Sequence, residues 1–199
     1  MNEPATVTIV IPTRNSERTL EACLKSVKSQ SYPCVIVVVD NQSNDRTLEI
    51  ANSLADIVLA VEPERSAQRN AGAHATAADI LGFIDSDMIL SSRVVAEAVE
   101  AIQSGAASVV VPERSIGQGY WAGVRAFERE FYRGSDSIEA PRFFLRSVFD
   151  KVGGWDEELT GPEDWDLRIR VKQVGVMARI KSEIDHDEGY VRYLDADRK

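Results

Sequence analysis

The chain has 199 residues, 44% hydrophobic and 28% charged, which is ordinary globular usage and enough apolar material for one sizeable core. A formal charge of −9 argues against a general nucleic-acid binder, which carries a basic face. No apolar run approaches the ~20 residues of a membrane span, and the N-terminus lacks the basic-then-apolar order of a signal peptide.

The first half alternates strand and helix patterns. Val7-Thr8-Ile9-Val10-Ile11 reads as a strand ended by Pro12, and Leu20, Cys23, Leu24 and Val27 follow at helical spacing. Val35 to Val39 is a β-branched strand closing on Asp40. Thr47 to Leu54 reads as a short helix, Ile57 to Val61 as a third strand, and Ser66 to Ala78 as an alanine-rich helix. Ile80-Leu81-Gly82-Phe83-Ile84 is a fourth strand, buried by its continuous apolar character and closed by Asp85-Ser86-Asp87. Val95, Ala98, Val99 and Ile102 form another helical face, and Ser108 to Val111 a fifth strand. Beyond Pro112 the spacing predicts a helix over Gly117 to Arg133, a short strand at Phe143-Phe144-Leu145 and a helix over Leu167 to Val174.

Near-continuous apolar strands separated by helices imply a mostly parallel sheet with helices on both faces. In such a sheet ligands bind beyond the carboxyl ends of the strands. Polar residues gather there: Thr13-Arg14-Asn15, Asp40, Glu62 with Arg65, and Asp85 with Asp87. Neither a Gly-x-Gly-x-x-Gly nor a Gly-x-x-x-x-Gly-Lys follows the first strand, which disfavours dinucleotide and Walker-type sites. Cys23 and Cys34 share no metal-ligand spacing and read as two reduced thiols of a cytosolic protein.

Residues i and i+2 of a strand point to one side, so Asp85 and Asp87 leave the strand together. Their repulsion and desolvation are both relieved by a hard cation that also holds phosphate oxygens. The same tripeptide also suits a plain strand-end turn. Gly161-Pro162-Glu163-Asp164-Trp165-Asp166 opens a helix, and Pro and acids in a first turn are ordinary start signals. The functional alternative is a general base, a carboxylate facing a bound hydroxyl. His186, in Asp185-His186-Asp187-Glu188, is a metal ligand or a plain surface or core histidine, and His74 is structural. Arg69 suits either a diphosphate or a solvated helix face. Trp121, Trp155 and Trp165 are core residues or platforms for a sugar.

Five segments in order resemble the family-2 glycosyltransferases of the glycosyltransferase-A fold. They are Thr8 to Asn15, Val37 to Thr47, Arg69-Asn70-Ala71-Gly72, Phe83 to Asp87, and Gly153 to Glu157 leading into Pro162 to Leu167. The resemblance implies an α/β, Rossmann-like single catalytic domain over residues 1–199. Its nucleotide-sugar-binding half would be 1–112 and its acceptor-side half 113–199. It implies an enzyme of the hexosyltransferase type that moves a sugar, with inversion, from a nucleotide-diphospho-sugar to a glycan or glycolipid acceptor, with Mn²⁺ or Mg²⁺ as cofactor. Pro12, Thr13, Asn15, Asp40, Arg69, Asp85 and Ser86 would bind the nucleotide-sugar, Asp40 through the base and Arg69 through the phosphates. Asp87 and His186 would ligate the metal. Asp164 would be the base, with Glu163 beside it, and Trp121 and Trp165 would face the acceptor. The expected location is the cytoplasm or the inner face of the membrane, where the aromatic and arginine-rich stretch Tyr120 to Arg133 would suit a glycolipid surface.

Asn41-Gln42-Ser43 stands where many relatives carry Asp-Gly-Ser, which leaves the nucleobase open. The absence of a Gln-x-x-Arg-Trp motif argues against a processive synthase of the cellulose or hyaluronan type. Two alternatives remain at this point. One is a nucleotidyltransferase, although Thr13-Arg14-Asn15 lacks the glycines of its loop. The other is a non-catalytic nucleotide-sugar-binding protein, although both acidic clusters are intact.

Overall fold

A computed structural model describes residues 3–61, 64–132, 134, 139–159 and 161–190. Glu62 and the side chain of Trp121 lie outside the described residues. In chain order the elements are β1 (Val7–Thr13), α1 (Leu20–Lys28), β2 (Val35–Asp40), α2 (Thr47–Leu54), β3 (Ile57–Ala60), α3 (Arg65–His74), β4 (Ile80–Phe83), β5 (Met88–Leu90) and α4 (Val94–Gln103). They continue with β6 (Ser108–Val110), β7 (Glu113–Gln118), α5 (Tyr120–Tyr132), β8 (Pro141–Leu145), α6 (Arg146–Lys151), α7 (Glu163–Lys172), β9 (Met177–Arg179) and β10 (Ile184–Tyr190).

Seven strands form the central sheet in the order β3-β2-β1-β4-β8-β6-β9. Strands β1 to β4 pair in parallel, as does β6 with β9, whereas β8 runs antiparallel to both its neighbours. The mostly parallel α/β sheet is therefore as expected, with one reversed strand. Alternation along the strands sorts the core into two layers. Ile9 and Ile11 of β1 and Ile36 and Val38 of β2 pack with Leu20, Cys23, Leu24 and Val27 of α1 and Val95, Ala98 and Val99 of α4. Val10, Val37, Val39, Leu81 and Phe83 turn to the opposite side, against Phe149 of α6, Trp155, and Leu167 and Val171 of α7. Helices cover both faces because both faces of these strands are apolar.

Helix α3 ends at His74, four residues before the expected Ala78. Arg146 explains the stop: its guanidinium donates to the carbonyls of Ala73, Thr76 and Ala78, taking acceptors that a continuing helix would use. Thr76 and Asp79 also turn to the start of β1, where Thr76 bonds Thr8 and Asp79 bonds the preceding Thr6. The stretch expected to be helical from Gly117 begins as strand instead, because Glu113–Gln118 pairs with β10.

A second sheet, β5-β10-β7, caps the carboxyl-end rim. His186 on β10 lies opposite Met88 on β5, and the Asp187 amide donates to the Asp87 carbonyl at 2.8 Å. Residues a hundred positions apart in sequence thereby become neighbours.

Candidate active site

A cleft of about 570 Å³ opens at that rim, lined by Pro12, Thr13, Arg14, Ser16, Arg65, Gln68, Asp85, Ser86, Asp87 and His186. The end of β1 supplies its first wall. Thr13 is buried, and its hydroxyl donates to Asp40 Oδ1 at 3.1 Å. Asp40 also accepts from the Ser43 amide at 2.9 Å and from the Ser43 hydroxyl. It stands behind the lining residues and fixes the turn after β2. Asn15, in the left-handed region at φ 49, accepts the Asn44 amide on its side chain while its own amide donates to Ser43. These two residues, both expected to bind nucleotide, thus brace two adjoining loops. Ser86 meets Ser16 hydroxyl to hydroxyl at 2.9 Å.

Asp87 and His186 face each other across the cleft floor, with Oδ2 3.2 Å from Nε2. Among the described residues no group of three or more His, Cys, Asp or Glu could enclose a metal. One carboxylate oxygen and one imidazole nitrogen side by side nevertheless fit a Mg²⁺- or Mn²⁺-type ion. Such ions take few protein ligands and fill the remaining positions with substrate phosphates and water.

Arg69 is fully buried beneath the cleft, 4.4 Å from the Trp155 ring centroid. Its Nη2 lies 3.1 Å from Asp85 Oδ1, and its Nη1 lies 3.3 Å from Asp164 Oδ1 and 3.7 Å from Glu163 Oε1. Asp164 is partly exposed in the first turn of α7, while Glu163 beside it is buried and turned inward toward Arg69 and Arg65. Trp165 follows, 55% exposed.

The other Asp85 oxygen lies 3.3 Å from Arg142 Nη1, and Arg142 Nε donates to Glu113 Oε1 at 2.7 Å. Burial opposes ionisation of Asp85, but Arg69, Arg142 and Arg65 outweigh it and hold the carboxyl well below the usual carboxylate range. Burial opposes ionisation of Glu113 too, and Arg142 with His186 brings it down to about 2. Burial alone would loosen the Arg142 proton; Glu113, Asp85 and Asp164 reverse that and keep the guanidinium charged. These cations offset the acidic balance of the chain at the rim.

Residues 8–153 match the model of the family described as Glycosyl transferase family 2. The chain belongs to that family. The 4,4'-diaponeurosporenoate glycosyltransferase of Staphylococcus haemolyticus is 36% identical over 141 residues, covering 67% of this chain and 31% of that protein. Two solved structures share the glycosyltransferase-A fold. S. aureus TarS 1-349 in complex with UDP-GlcNAc superposes with a TM-score of 0.75 at 18% identity, covering 98% of this chain and 62% of that one. The mannosyltransferase PcManGT from Pyrobaculum calidifontis, in complex with GDP-Man and Mn²⁺, gives 0.72 at 21% identity, covering 94% and 57%. This family-2 chain therefore spans less than two thirds of each of these proteins. Membership leaves the nucleotidyltransferase alternative without support.

The family-2 segments account for most of the cleft, but Ser16, Gln68, Glu113 and Arg142 carry no sequence signal that marks them. Gln68 ties α3 to the sheet by donating to the Thr13 and Val39 carbonyls. Glu113 opens β7, and Arg142 precedes the apolar pair of β8. Among the described residues no helix is long and apolar enough to cross a membrane. Helix α5 nevertheless leaves Tyr120, Phe127 and Phe131 exposed, the two phenyl rings meeting edge-on at 4.9 Å.

Proposed function

We propose that this chain is the catalytic domain of an inverting glycosyltransferase that uses a nucleotide-diphospho-sugar and a divalent cation. One observation carries the reading: a metal-competent pair, Asp87 and His186, lines the same cleft as Asp85, which Arg69 joins to a carboxylate in a helix first turn, Asp164. Solved members of this fold bind UDP-GlcNAc and GDP-Man, the latter with Mn²⁺, which supports the donor class and the cofactor.

In this reading Pro12, Thr13 and the turn held by Asp40 and Asn15 shape the nucleoside pocket, and Asp40 keeps an acceptor position for the base. Arg65, with Arg69 beneath it, provides positive potential for the diphosphate. Asp87 and His186 would hold the ion, which would supply Lewis acidity toward the charge of a diphosphate leaving group, worth roughly several kcal/mol. Asp164, its Oδ1 oriented by Arg69, takes the proton of the acceptor hydroxyl. In-line attack from the face opposite the leaving group inverts the anomeric carbon. Glu163 positions Arg69 rather than touching substrate. The half-exposed Trp165 beside the base offers a stacking face for an acceptor sugar. The exposed aromatics of α5 support a glycolipid or membrane-surface acceptor side, where Trp121 would also belong.

Isothermal titration of the chain with UDP and with GDP tests the reading. Binding of one of them that requires Mn²⁺ and disappears in Asp87→Ala is expected. Equal affinity in EDTA and in Mn²⁺ would overturn the metal assignment.

A further inference from the structure

Arg142 and Glu113 have no part in the reading above, yet they are among the most tightly held charges of the molecule. The Arg142 side chain is 11% exposed and that of Glu113 20%. Arg142 directs both Nε and Nη2 at a single oxygen, Glu113 Oε1, at 2.7 and 2.6 Å. That leaves Oε2 turned to His186, 3.7 Å from Nδ1, while Nε2 of the same ring faces Asp87. The third guanidinium nitrogen, Nη1, reaches Asp85 Oδ2.

We propose that Glu113 and Arg142 are positioning residues for the metal site: Glu113 holds the His186 ring with Nε2 toward the cleft, and Arg142 locks Glu113 while tying it to Asp85. This rests on the assignment of Asp87 and His186 as metal ligands. An imidazole ligand presents one nitrogen, and its orientation is set by what the other nitrogen meets, a backbone carbonyl, a water or a carboxylate. Glu113 is that carboxylate. The fork of Arg142, anchored on β8 of the central sheet, holds Glu113 and carries the position of Asp85 into the position of His186. The same pair closes a continuous chain of neighbours, Asp164, Arg69, Asp85, Arg142, Glu113, His186 and Asp87, running from the proposed base to the proposed metal.

The test is Mn²⁺ affinity, read by titration calorimetry in saturating UDP or GDP and by the free-ion electron spin resonance signal, beside the thermal midpoint of each variant. Glu113→Gln and Arg142→Gln should weaken Mn²⁺ binding ~10–100-fold, and Arg142→Lys should recover part of the loss. Where a single variant fails to fold because a buried charge is orphaned, Glu113→Gln/Arg142→Gln removes both charges together and must show the same weakening. Mn²⁺ affinity within twofold of the unsubstituted chain, whatever the melting point does, overturns the positioning role alone. If the unsubstituted chain binds no Mn²⁺ with either nucleotide, the metal assignment falls first and this inference with it.

Discussion

Arg69 binds Asp85 with one guanidinium nitrogen and Asp164 with the other, at 3.1 and 3.3 Å, so a single buried cation spans the end of β4 and the start of α7. Those elements are 79 positions apart at the two carboxylates, and the ion pairs fix their separation. Arg69→Met should therefore act on stability as well as on transfer. It leaves the buried Glu163 facing Asp164 and Asp85 without the charge between them. Breaking a buried pair on one side costs about 3–5 kcal/mol. Urea unfolding should show a loss of that size, and Arg69→Met/Glu163→Gln should recover part of it. A midpoint unchanged by Arg69→Met would mean that the cation is not what joins the two elements.

Asp164→Asn separates binding from chemistry. The amide keeps an oxygen for Arg69 but accepts no proton. Turnover should fall ~10²–10⁴-fold, the usual contribution of a general base, while nucleotide affinity in Mn²⁺ stays level. Retained turnover in this variant would remove the base assignment and move attention to Glu163, whose buried, inward side chain makes it the poorer choice.

The sequence shows the parallel half of the fold and its rim because the rule behind it is simple: apolar strands separated by helices expose their carboxyl ends together. Thr13, Asp40, Asp85 and Asp87 follow from that rule. Arg142 does not, because β8 is antiparallel and presents its beginning to the rim; with Phe143 opposite Gly82, the residue before it falls at the level of the cleft. Glu113 and His186 belong to strands without an apolar signature. Ile184–Tyr190 reads Ile-Asp-His-Asp-Glu-Gly-Tyr, and its strand character comes from pairing with β5 and β7 rather than from composition. Long-range pairing also gives Asp40 its partner Thr13, beside its local contacts with Ser43.

Gly72 lets α3 approach the sheet. A Cβ there would overlap the Val10 side chain and stand 3.0 Å from Val39 Cγ2, in a layer with no slack. Gly72→Ala must push the helix outward, and Arg69 and Gln68 move with it. A destabilisation of about 1–3 kcal/mol by urea unfolding is expected, together with weaker nucleotide binding. Unaltered stability would show that the close approach at Val10 is not required.

Glu97 of α4 ties the segment before β10 in place. It accepts the Lys181 and Ser182 amides at 3.0 and 2.9 Å and the Ser182 hydroxyl at 2.8 Å. Burial opposes its ionisation, but the Ser182 and Lys181 bonds prevail and depress the carboxyl below its ordinary value. A depressed folded-state value contributes stability that is complete above the unfolded value, about 4.3, and is lost as pH falls through the folded one. Glu97→Gln should cost about 1–3 kcal/mol at pH 7, and the difference from the unsubstituted chain should shrink below pH 4. A pH-independent difference would mean that the charge plays no part in the contact.

The two thiols should be slow to react while the protein is folded. Burial, with a smaller push from Asp56, raises Cys34 to about 11. Burial raises the fully enclosed Cys23 further still, with Asp87 and Asp85 adding to it. The thiolate is the reactive form. At pH 8 only about one Cys34 in a thousand carries it, against roughly one in four for an unperturbed thiol near 8.5. Alkylation of Cys34 should therefore lag a small-molecule thiol by about two orders of magnitude and accelerate nearly tenfold per pH unit up to about 11. Cys23 should react only in denaturant. Rapid labelling of either cysteine at pH 7 by mass spectrometry would show that the layer between β1, β2 and α1 opens far more readily than its packing implies.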